Sequence, residues 1–396
     1  MSRAKPKIAF VHNAYIEYRT PLFEKLSDQY CVNFFFERFD RSLIREKPYF
    51  QLRFLINFKI AKDYSFSPLL FFHLLGGKYN LFIAGAIGQV NTYVAFFVSR
   101  LLRKPFIFWD ENWCLPRSIW RSLAWPFLLQ ILKYSKAVVV PGSKSKQFYS
   151  ALNPSIKCKI FVSPNASLLL PNKSIRVKAD TLRDTLKLKD KKVILYCGRL
   201  IKQKGFEYLV KAFAKLQQYN SNTFLLVVGG QYGYGQLYSI EQLRSLSSLF
   251  GPDKIHFTGW VSTSDKISYF LLADVVVVPS IFFAEGAEVW GFAVNEAMSV
   301  GKPVVATTAV GAAYDLIQNG VNGYIVPDKD HHSLFESIKS IIDNSSTEAS
   351  MSSKSLEILY GGFTYEHMLF GFREAITFVL SDSKKEALTE NTDGFR

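Results

Sequence analysis

The stretch EVWGFAVNEAMSVGKPVV, residues 288–305, carries an unusually complete set of helix signals. Gly291 stands at the start, Phe292 to Val300 is an apolar run of helical length, and Gly301 followed by Pro303 ends it. We predict a short buried helix here. Its first turn would present free backbone N–H groups and the positive end of the helix dipole, which together stabilise a phosphate.

Two glutamates bracket the start of this predicted helix. Glu296 lies in its second turn, where an unpaired carboxylate would be costly, so we expect a partner such as a pair of ribose hydroxyls. Glu288 precedes the helix and could reach hydroxyls on whatever the phosphate carries, and Gly291 would let the phosphate approach closely. The alternative for Glu288 is a solvated loop acid, and for Glu296 a cap or an ion pair. The combination favours a ligand site.

The segment CGRLIKQKG, residues 197–205, follows a predicted strand and carries a second group of polar residues. Gly198 makes the turn, and Arg199 and Lys204 leave the same strand end, where two fixed cations suit a diphosphate. The alternative is a surface loop with two ordinary cations. We expect these cations and the helix start to form one clamp.

Short apolar runs rich in Val, Ile and Phe recur along the chain in two groups of six. They cover residues 7–11, 32–36, 80–84, 105–109, 137–140 and 160–162, and then residues 193–197, 224–228, 255–258, 274–278, 303–306 and 323–326. Apolar strands separated by helical stretches favour parallel sheets covered on both faces. We therefore predict an α/β fold of two doubly wound, Rossmann-like domains with a ligand site in an interdomain cleft, at the carboxyl ends of the strands.

A polar stretch with Pro171 and the charged run 187–192 places the predicted domain boundary near residue 172, giving domains 1–172 and 173–360. The tail 381–396 is polar and lacks periodicity, so we expect it to be disordered.

The four cysteines have no metal-ligand or disulfide spacing, and the first apolar run is too short for a signal peptide. No stretch is long and apolar enough for a membrane span. We expect a cytoplasmic protein.

The net charge of +15 belongs to the first half, because residues 1–170 hold 24 Lys and Arg against 9 Asp and Glu, and the remainder holds 24 of each. An anionic membrane surface is the favoured partner, since the same half carries FFFERF (34–39), the mixed segment 51–58, and three tryptophans, Trp113, Trp120 and Trp125. A merely solvated basic face is the alternative. Nucleic acid is disfavoured because no recognition motif accompanies the charge.

The second half resembles the retaining glycosyltransferase family 4 of the GT-B fold. The matching segments run in order through residues 196–213, 225–230, 255–261, 269–280, 288–317 and 319–327. By this resemblance Arg199 and Lys204 bind the donor diphosphate, and the backbone at Gly291 and Phe292 completes the phosphate site. The resemblance also implies that Glu288 holds sugar hydroxyls and that Glu296 holds the ribose. It places Gly259 and Trp260 beside the nucleobase. Residues 361–380 resemble the family's terminal helix, which crosses back to the first domain.

The first domain, expected to bind the acceptor, matches the family less closely. Its opening loop, residues 12–26, resembles one branch of the family and lacks the paired glycines that many members carry there. Asp110 and Glu111 are candidates for acceptor contact, against helix capping or loop structure. His12 is either an ordinary strand-end histidine or an acceptor ligand, and Asn165 is expected to be structural.

The resemblance implies transfer of a sugar from a nucleotide diphosphate sugar to an acceptor hydroxyl, with retention, on a glycan or lipid-linked acceptor. No cofactor or bound metal is expected, because the two cations and the helix start suit a departing diphosphate. Residues Glu288, Lys204, Arg199 and Asp110 are the catalytic candidates. There are two alternatives, a sugar-nucleotide epimerase and a catalytically idle nucleotide-sugar-binding protein. A dehydrogenase is disfavoured because no GxGxxG motif follows the first strand. The base, sugar and acceptor stay open.

Overall fold

The computed structural model describes residues 5–38, 50–61, 64–114, 119–230, 237–251, 253–283 and 286–393. The chain divides into two compact units. The first unit comprises Met1–Ala166 and Tyr365–Arg396, and the second comprises Ser167–Thr364. Each unit contains its own parallel sheet and its own core.

The first unit is built on a seven-stranded parallel sheet. Its strands are β1 (Lys7–Ala14), β2 (Cys31–Arg38), β3 (Gln51–Phe54), β6 (Leu81–Gly85), β7 (Phe106–Trp109), β8 (Ala137–Val140) and β9 (Ile160–Val162). They lie in the order β3-β2-β1-β6-β7-β8-β9. Strands β4 (Phe58–Ala61) and β5 (Tyr64–Phe66) form a separate antiparallel hairpin. The central strands are apolar along their whole length because helices cover both faces.

The helices of the first unit sit in two layers. They are α1 (Thr20–Gln29), α2 (Pro68–Gly76), α3 (Val90–Leu101), α4 (Ile119–Tyr134), α5 (Ser143–Leu152) and α14 (Tyr365–Asp393). Helices α1 and α14 pack on one face of the sheet, and α2 to α5 pack on the other. The terminal helix α14 contributes Phe372 and Ile376 to the core beneath it, both fully buried.

The second unit is built on a six-stranded parallel sheet. Its strands are β10 (Lys192–Cys197), β11 (Thr223–Val228), β12 (Ile255–Phe257), β13 (Val275–Val278), β14 (Val304–Thr307) and β15 (Gly323–Val326). They lie in the order β12-β11-β10-β13-β14-β15. Its helices are α6 (Lys173–Thr185), α7 (Phe206–Tyr219), α8 (Ile240–Phe250), α9 (Thr263–Leu272), α10 (Phe292–Ser299), α11 (Ala313–Leu316), α12 (His331–Ile342) and α13 (Ser345–Gly362).

The predicted fold class of two doubly wound Rossmann-like domains is confirmed. All twelve predicted strands are present, and the helix predicted from the opening stretch is α10. Gly301 has the expected left-handed conformation, with φ of 68°. Sequence reasoning missed β3 and the β4–β5 hairpin, because Gln51–Phe54 is largely exposed and lacks an apolar run.

The two units divide between Ala166 and Ser167, whereas the composition predicts a boundary near residue 172. Leu169 explains the difference, because it is buried in the core of the second unit. Helix α14 continues through Asp393, into the tail for which we expect disorder, and the run KKEALTE at 384–390 contains strong helix formers. Residues 394–396 lie outside the described residues.

Candidate functional site

The strand order of the second sheet changes direction between β10 and β13. From β10 the chain proceeds outward through β11 and β12, and it then returns to place β13 on the other side of β10. In such sheets the loops at the carboxyl ends of the two strands part and leave a crevice for a ligand. The loop 198–205 follows β10, and the loop 279–291 follows β13. Both loops carry the residues that the sequence nominates.

An ion pair joins these two loops. The Lys204 ammonium donates a hydrogen bond to Glu288 Oε2, and the Ser280 hydroxyl donates to the same oxygen at 3.4 Å. Both charged side chains keep about one fifth of their surface exposed, 20% for Lys204 and 21% for Glu288. The backbone of Glu288 is fixed by hydrogen bonds to Ala309 and Gly311, each at 3.0 Å. The structure therefore places two predicted site residues in direct contact.

The pKa of Glu288 is set by opposing influences. Burial raises it, but the charge and hydrogen bond of Lys204, then the charge of Arg199 and the hydrogen bond of Ser280, lower it below its ordinary value. Glu288 is therefore a carboxylate at neutral pH. It offers hydrogen-bond acceptors beside two cations, an arrangement that suits a ligand carrying both hydroxyls and anionic groups.

Gly205 lets the loop after β10 approach the loop after β13. Its φ is 63°, and a Cβ built there would lie 1.9 Å from the carbonyl oxygen of Pro279, so no other residue fits without moving the backbone. Next to this contact the Ile281 N–H donates to the carbonyl of Gln203 at 3.0 Å. The backbone thus fixes the separation of the two loops that bear Lys204 and Glu288.

Helix α10 begins where the sequence predicts. Gly291 caps it with φ of 94°, and a Cβ there would lie 2.7 Å from Val310 Cγ1. Phe292 is the first helical residue and is partly buried against the core of the second unit. The positive end of the helix dipole therefore lies three residues after Glu288, at the same strand-end edge of the sheet.

Glu296 is 6% exposed and has protein partners that sequence reasoning missed. Lys266 Nζ donates to Glu296 Oε1 at 2.5 Å, and Ser167 Oγ donates to the same atom at 2.9 Å. The ion-pair alternative considered for this residue is therefore present. Both of these hydrogen bonds end on Oε1, and the ribose contact predicted for Glu296 stays a prediction.

Gly259 and Trp260 follow β12, two strands from β10. Gly259 has φ of 70°, and its carbonyl accepts a hydrogen bond from the Gly229 N–H at 3.0 Å. A Cβ on Gly229 would lie 2.0 Å from the carbonyl oxygen of Gly198. The turns after β10, β11 and β12 therefore lie next to one another in space. Trp260 is 67% exposed and presents a free ring surface at this edge.

Asp110 follows β7 in the first unit and is 2% exposed. Its Oδ1 accepts from the Ile87 N–H at 2.9 Å, and its Oδ2 accepts from Asn112 N at 3.0 Å, Asn112 Nδ2 at 2.7 Å and the Tyr149 hydroxyl at 2.5 Å. Four donors therefore occupy this carboxylate. These contacts fit the loop-structure alternative for Asp110, and the acceptor contact and catalytic role predicted for it stay predictions.

Glu111 belongs to a buried polar network at the end of the first sheet. Arg19 Nη2 donates to Glu111 Oε1 at 2.6 Å, Asn165 Nδ2 donates to the same oxygen at 2.9 Å, and Arg19 Nη1 lies 3.2 Å from His12 Nε2. The guanidinium also lies over the ring of Trp109, 4.7 Å from the centroid. Arg19 was not among the predicted site residues, because its burial is not visible in the loop sequence.

Burial, and then the charge of Arg19, hold the pKa of His12 well below its ordinary value. His12 is therefore neutral at physiological pH. Its Nε2 can accept from Arg19, which leaves the proton on Nδ1. In this arrangement His12 and Glu111 both serve to hold the Arg19 guanidinium, and the acceptor roles predicted for them stay predictions.

A stretch of the second unit, which contains Arg199, Lys204 and Glu288, matches a known protein family. The family described as Glycosyl transferases group 1 matches residues 178–357, a little under half of the chain. An uncharacterized glycosyltransferase of Methanocaldococcus jannaschii is 35% identical over 147 residues, 37% of this chain and 34% of that protein. The lipopolysaccharide 1,2-N-acetylglucosaminetransferase of Salmonella typhimurium is 28% identical over 226 residues, 52% of this chain and 57% of that protein. The chain thus spans between a third and three fifths of these relatives' length.

Solved structures share the fold over nearly the whole chain. HepE of Anabaena in complex with UDP superposes with a TM-score of 0.77 at 19% identity, covering 94% of this chain and 99% of that one. Sucrose-phosphate synthase from Thermosynechococcus elongatus gives a TM-score of 0.71 at 19% identity, covering 96% and 100%. The chain has the GT-B fold. The part that matches the family model, residues 178–357, lies within the second unit. The matches agree with the predicted enzyme class, glycosyltransferase, and membership of family 4 stays a prediction.

The described residues lack two further features. No described helix has both the length and the apolar character that crossing a membrane requires. Among the same described residues, no three His, Cys, Asp or Glu side chains are grouped so that they could hold a metal ion.

Proposed function

We propose that the chain is a retaining glycosyltransferase that moves a sugar from a nucleotide diphosphate sugar to an acceptor hydroxyl. The contact between Lys204 and Glu288 carries the proposal, because it joins the two loops at the switch point of the sheet inside the matched domain. A cation and a carboxylate held there can bind the diphosphate and the sugar of one donor molecule.

In this proposal each site residue takes the part that its chemistry suits. Arg199 and Lys204 bind the diphosphate, and the start of α10 at Gly291 and Phe292 stabilises the same negative charge. Glu288 accepts hydrogen bonds from sugar hydroxyls. The nucleoside contacts are proposed for Glu296 at the ribose and for Gly259 and Trp260 at the base.

The reaction breaks the bond between the anomeric carbon and the diphosphate and forms a bond from that carbon to the acceptor oxygen. The departing diphosphate gains charge as the bond breaks, and Arg199, Lys204 and the helix start stabilise it. For retention we propose substitution on one face of the sugar, with the leaving phosphate taking the acceptor proton. No metal takes part in this scheme, so we expect transfer to persist in excess chelator.

We propose a UDP-sugar as the first donor to test, because HepE was solved with UDP and with UDP-glucose. Relatives include transferases that act on lipopolysaccharide and on phosphatidylinositol mannoside, which support a glycan or lipid-linked acceptor. Polysaccharide, glycolipid or glycoprotein glycan assembly at the cytoplasmic face of a membrane is the setting we propose.

The test measures binding and turnover separately. Thermal-shift measurements with UDP, GDP and ADP identify the base, and transfer from the matching nucleotide sugar is then measured with an acceptor panel. Lys204→Ala and Glu288→Ala should each reduce transfer by about a hundredfold or more, since each removes a contact to the charged donor. Lys178→Ala, which breaks the exposed Lys178–Asp265 pair of the same unit, is the matched control and should leave transfer unchanged.

Each alternative function has its own outcome in this experiment. Full transfer by Lys204→Ala would show that the site is wrongly assigned. An epimerase would interconvert the nucleotide sugar without acceptor, and an idle binding protein would bind the nucleotide sugar and never release free nucleotide.

A further inference from the structure

Several large apolar side chains are exposed on the outward sides of α2, α3 and α4. We call these five residues the apolar face; they are Leu69 and Phe72 on α2, Phe97 and Leu101 on α3, and Phe127 on α4, with exposures of 49%, 66%, 60%, 56% and 64%. Single apolar residues are normal on a protein surface, whereas several large ones on adjoining helices suit a contact surface.

The three helices form one continuous layer. All of them pack on the same face of the first sheet, in the core that contains Leu70, Val98 and Ile131. Helix α3 lies beside α2 and beside α4. The rings of Tyr93 on α3 and Phe127 on α4 are 6.4 Å apart in an edge contact, so Phe127 packs directly against α3.

The charged residues of the segment that carries the apolar face are mostly basic. Residues 64–138 contain eight Lys and Arg and only two acidic residues, Asp110 and Glu111. Both acids are engaged at the end of β7, Asp110 by four donors and Glu111 by Arg19. The outward sides of the three helices therefore carry no carboxylate within their described residues.

Cations stand beside the apolar side chains at the ends of α3 and α4. Arg100, Arg103, Lys104 and Lys133 are all exposed. The Arg100 guanidinium and the Lys133 ammonium lie over the ring of Tyr134, at 4.9 and 5.3 Å from its centroid. A half-exposed tyrosine between apolar side chains and cations is the arrangement found where a protein meets the headgroup region of a bilayer.

We propose that the apolar face and the cations Arg100, Arg103, Lys104 and Lys133 form a docking surface for an anionic lipid bilayer. The apolar side chains would enter the boundary between headgroups and acyl chains, and the cations would lie at the level of the lipid phosphates. A protein partner is less suited to this surface, because the cations would need acidic counterparts at every edge. The proposal adds the contact surface to the proposed membrane location and does not depend on the donor chemistry.

Some of the aromatic residues that the sequence suggested as membrane contacts are buried in the structure. Phe34, Phe35 and Phe36 of the run FFFERF are fully buried in β2, so they cannot contact lipid. Trp125 is partly buried in the core. The side chain of Trp120 lies outside the described residues. In this proposal the exposed aromatic residues of α2 to α4, Phe72, Phe97 and Phe127, take the place of Phe34, Phe35 and Phe36 as the lipid contacts.

The full chain is tested by co-sedimentation with vesicles of phosphatidylcholine containing phosphatidylglycerol and with vesicles of phosphatidylcholine alone. We expect the wild-type chain to bind the anionic vesicles at least tenfold more strongly, about the effect of one to two cations near the surface. Binding should weaken as the salt concentration rises. Equal binding to both vesicles would overturn the proposal.

Two sets of substitutions separate the apolar and charged parts. The triple variant Phe72→Ser, Phe97→Ser and Phe127→Ser should bind anionic vesicles at least tenfold more weakly. The triple variant Arg100→Gln, Arg103→Gln and Lys104→Gln should lose most of its salt dependence. The matched control, Val177→Ser with Leu249→Ser, removes residues of the second unit that are 58% and 72% exposed, and it should bind as the wild type does.

The remaining outcomes distinguish other occupants of this surface. If the aromatic variant bound vesicles as tightly as the wild type, the apolar face would not be the contact. If light scattering showed a dimer that the aromatic variant converts to a monomer, with vesicle binding unchanged, the surface would join two copies of the chain. UDP-induced thermal shifts are recorded for every variant, so a failure of docking is not confused with a failure of the donor site. The single variant Phe97→Ser serves where the triple variant does not fold.

Discussion

Lys266 holds the Glu296 carboxylate, and this contact sets the conformation of a residue that we propose to bind the ribose. We predict that Lys266→Met raises the KM for the donor by about tenfold, or ~1.4 kcal/mol, because a buried carboxylate loses its cation. The kcat at saturating donor should change much less. Lys266→Arg should restore most of the affinity, and an unchanged KM in Lys266→Met would contradict the positioning role.

The ion pair of Lys204 and Glu288 predicts a pH dependence of stability. The pKa of Glu288 is lowered in the folded chain, so the stabilisation is fully present above the ordinary carboxyl pKa, about 4.3, and is lost as the pH falls through the lowered value. The Tm of Lys204→Met should therefore lie below that of the wild type at pH 7, and the two should converge in acid. Thermal unfolding from pH 7 downward measures this; a difference that stays constant would count against it.

Sequence patterns identify the charged residues of the site better than their partners. Arg199, Lys204 and Glu288 stand in motifs at strand ends, where the topology of parallel sheets already indicates their position. Lys266 and Ser167 are separated from Glu296 by 30 and 129 residues and lie in no motif. Their contacts depend on how α9 and the segment before α6 pack, which no local pattern contains.

At the scale of elements, two loops are held together through glycine. We predict that Gly205→Ala destabilises the chain by about 2 kcal/mol or more, because the new methyl group would meet the carbonyl of Pro279 and the left-handed backbone is also strained. Gly320→Ala is the matched control: it has φ of 76° and no atom within 4 Å, so only the backbone strain, about 1 kcal/mol, remains. Urea unfolding compares the two.

The same pair of variants can be compared by UDP affinity. Gly205→Ala should weaken binding because it separates the loops that bear Lys204 and Glu288, and Gly320→Ala should not. Equal losses of stability and affinity in the two variants would mean that the close contact has no effect of its own.

Elements with a continuous apolar pattern were predicted and elements without one were not. Strands such as Leu81–Gly85 are covered on both faces, so their sequence is apolar at every position. Strand β3 lies at the edge of its sheet and three of its four residues are exposed, so its sequence is mixed and its position is set by pairing with β2. The same patterns did not separate buried from exposed aromatic residues, since FFFERF has the composition of either.

At the scale of the whole molecule, α14 completes the core of the first unit. We predict that Gly371→Ala destabilises this unit, because a Cβ there would lie 2.3 Å from the carbonyl oxygen of Val162 and push the helix off β9. Gly361 lies in α13 of the second unit, and a Cβ built there would have no atom within 4 Å. Gly361→Ala should therefore leave the free energy of unfolding unchanged or raise it by up to about 1 kcal/mol. Calorimetry should show the transition of the first unit lowered in Gly371→Ala alone.

The place of α14 also fixes an order of events during synthesis. The second unit is one continuous stretch, Ser167–Thr364, so all of its strands are translated before α14. The first unit begins the chain but needs Phe372 and Ile376, which come some two hundred residues after its last strand. Although its strands are translated first, we expect the first unit to complete its core last. Its apolar surface would then have to be kept from aggregating while the second unit folds.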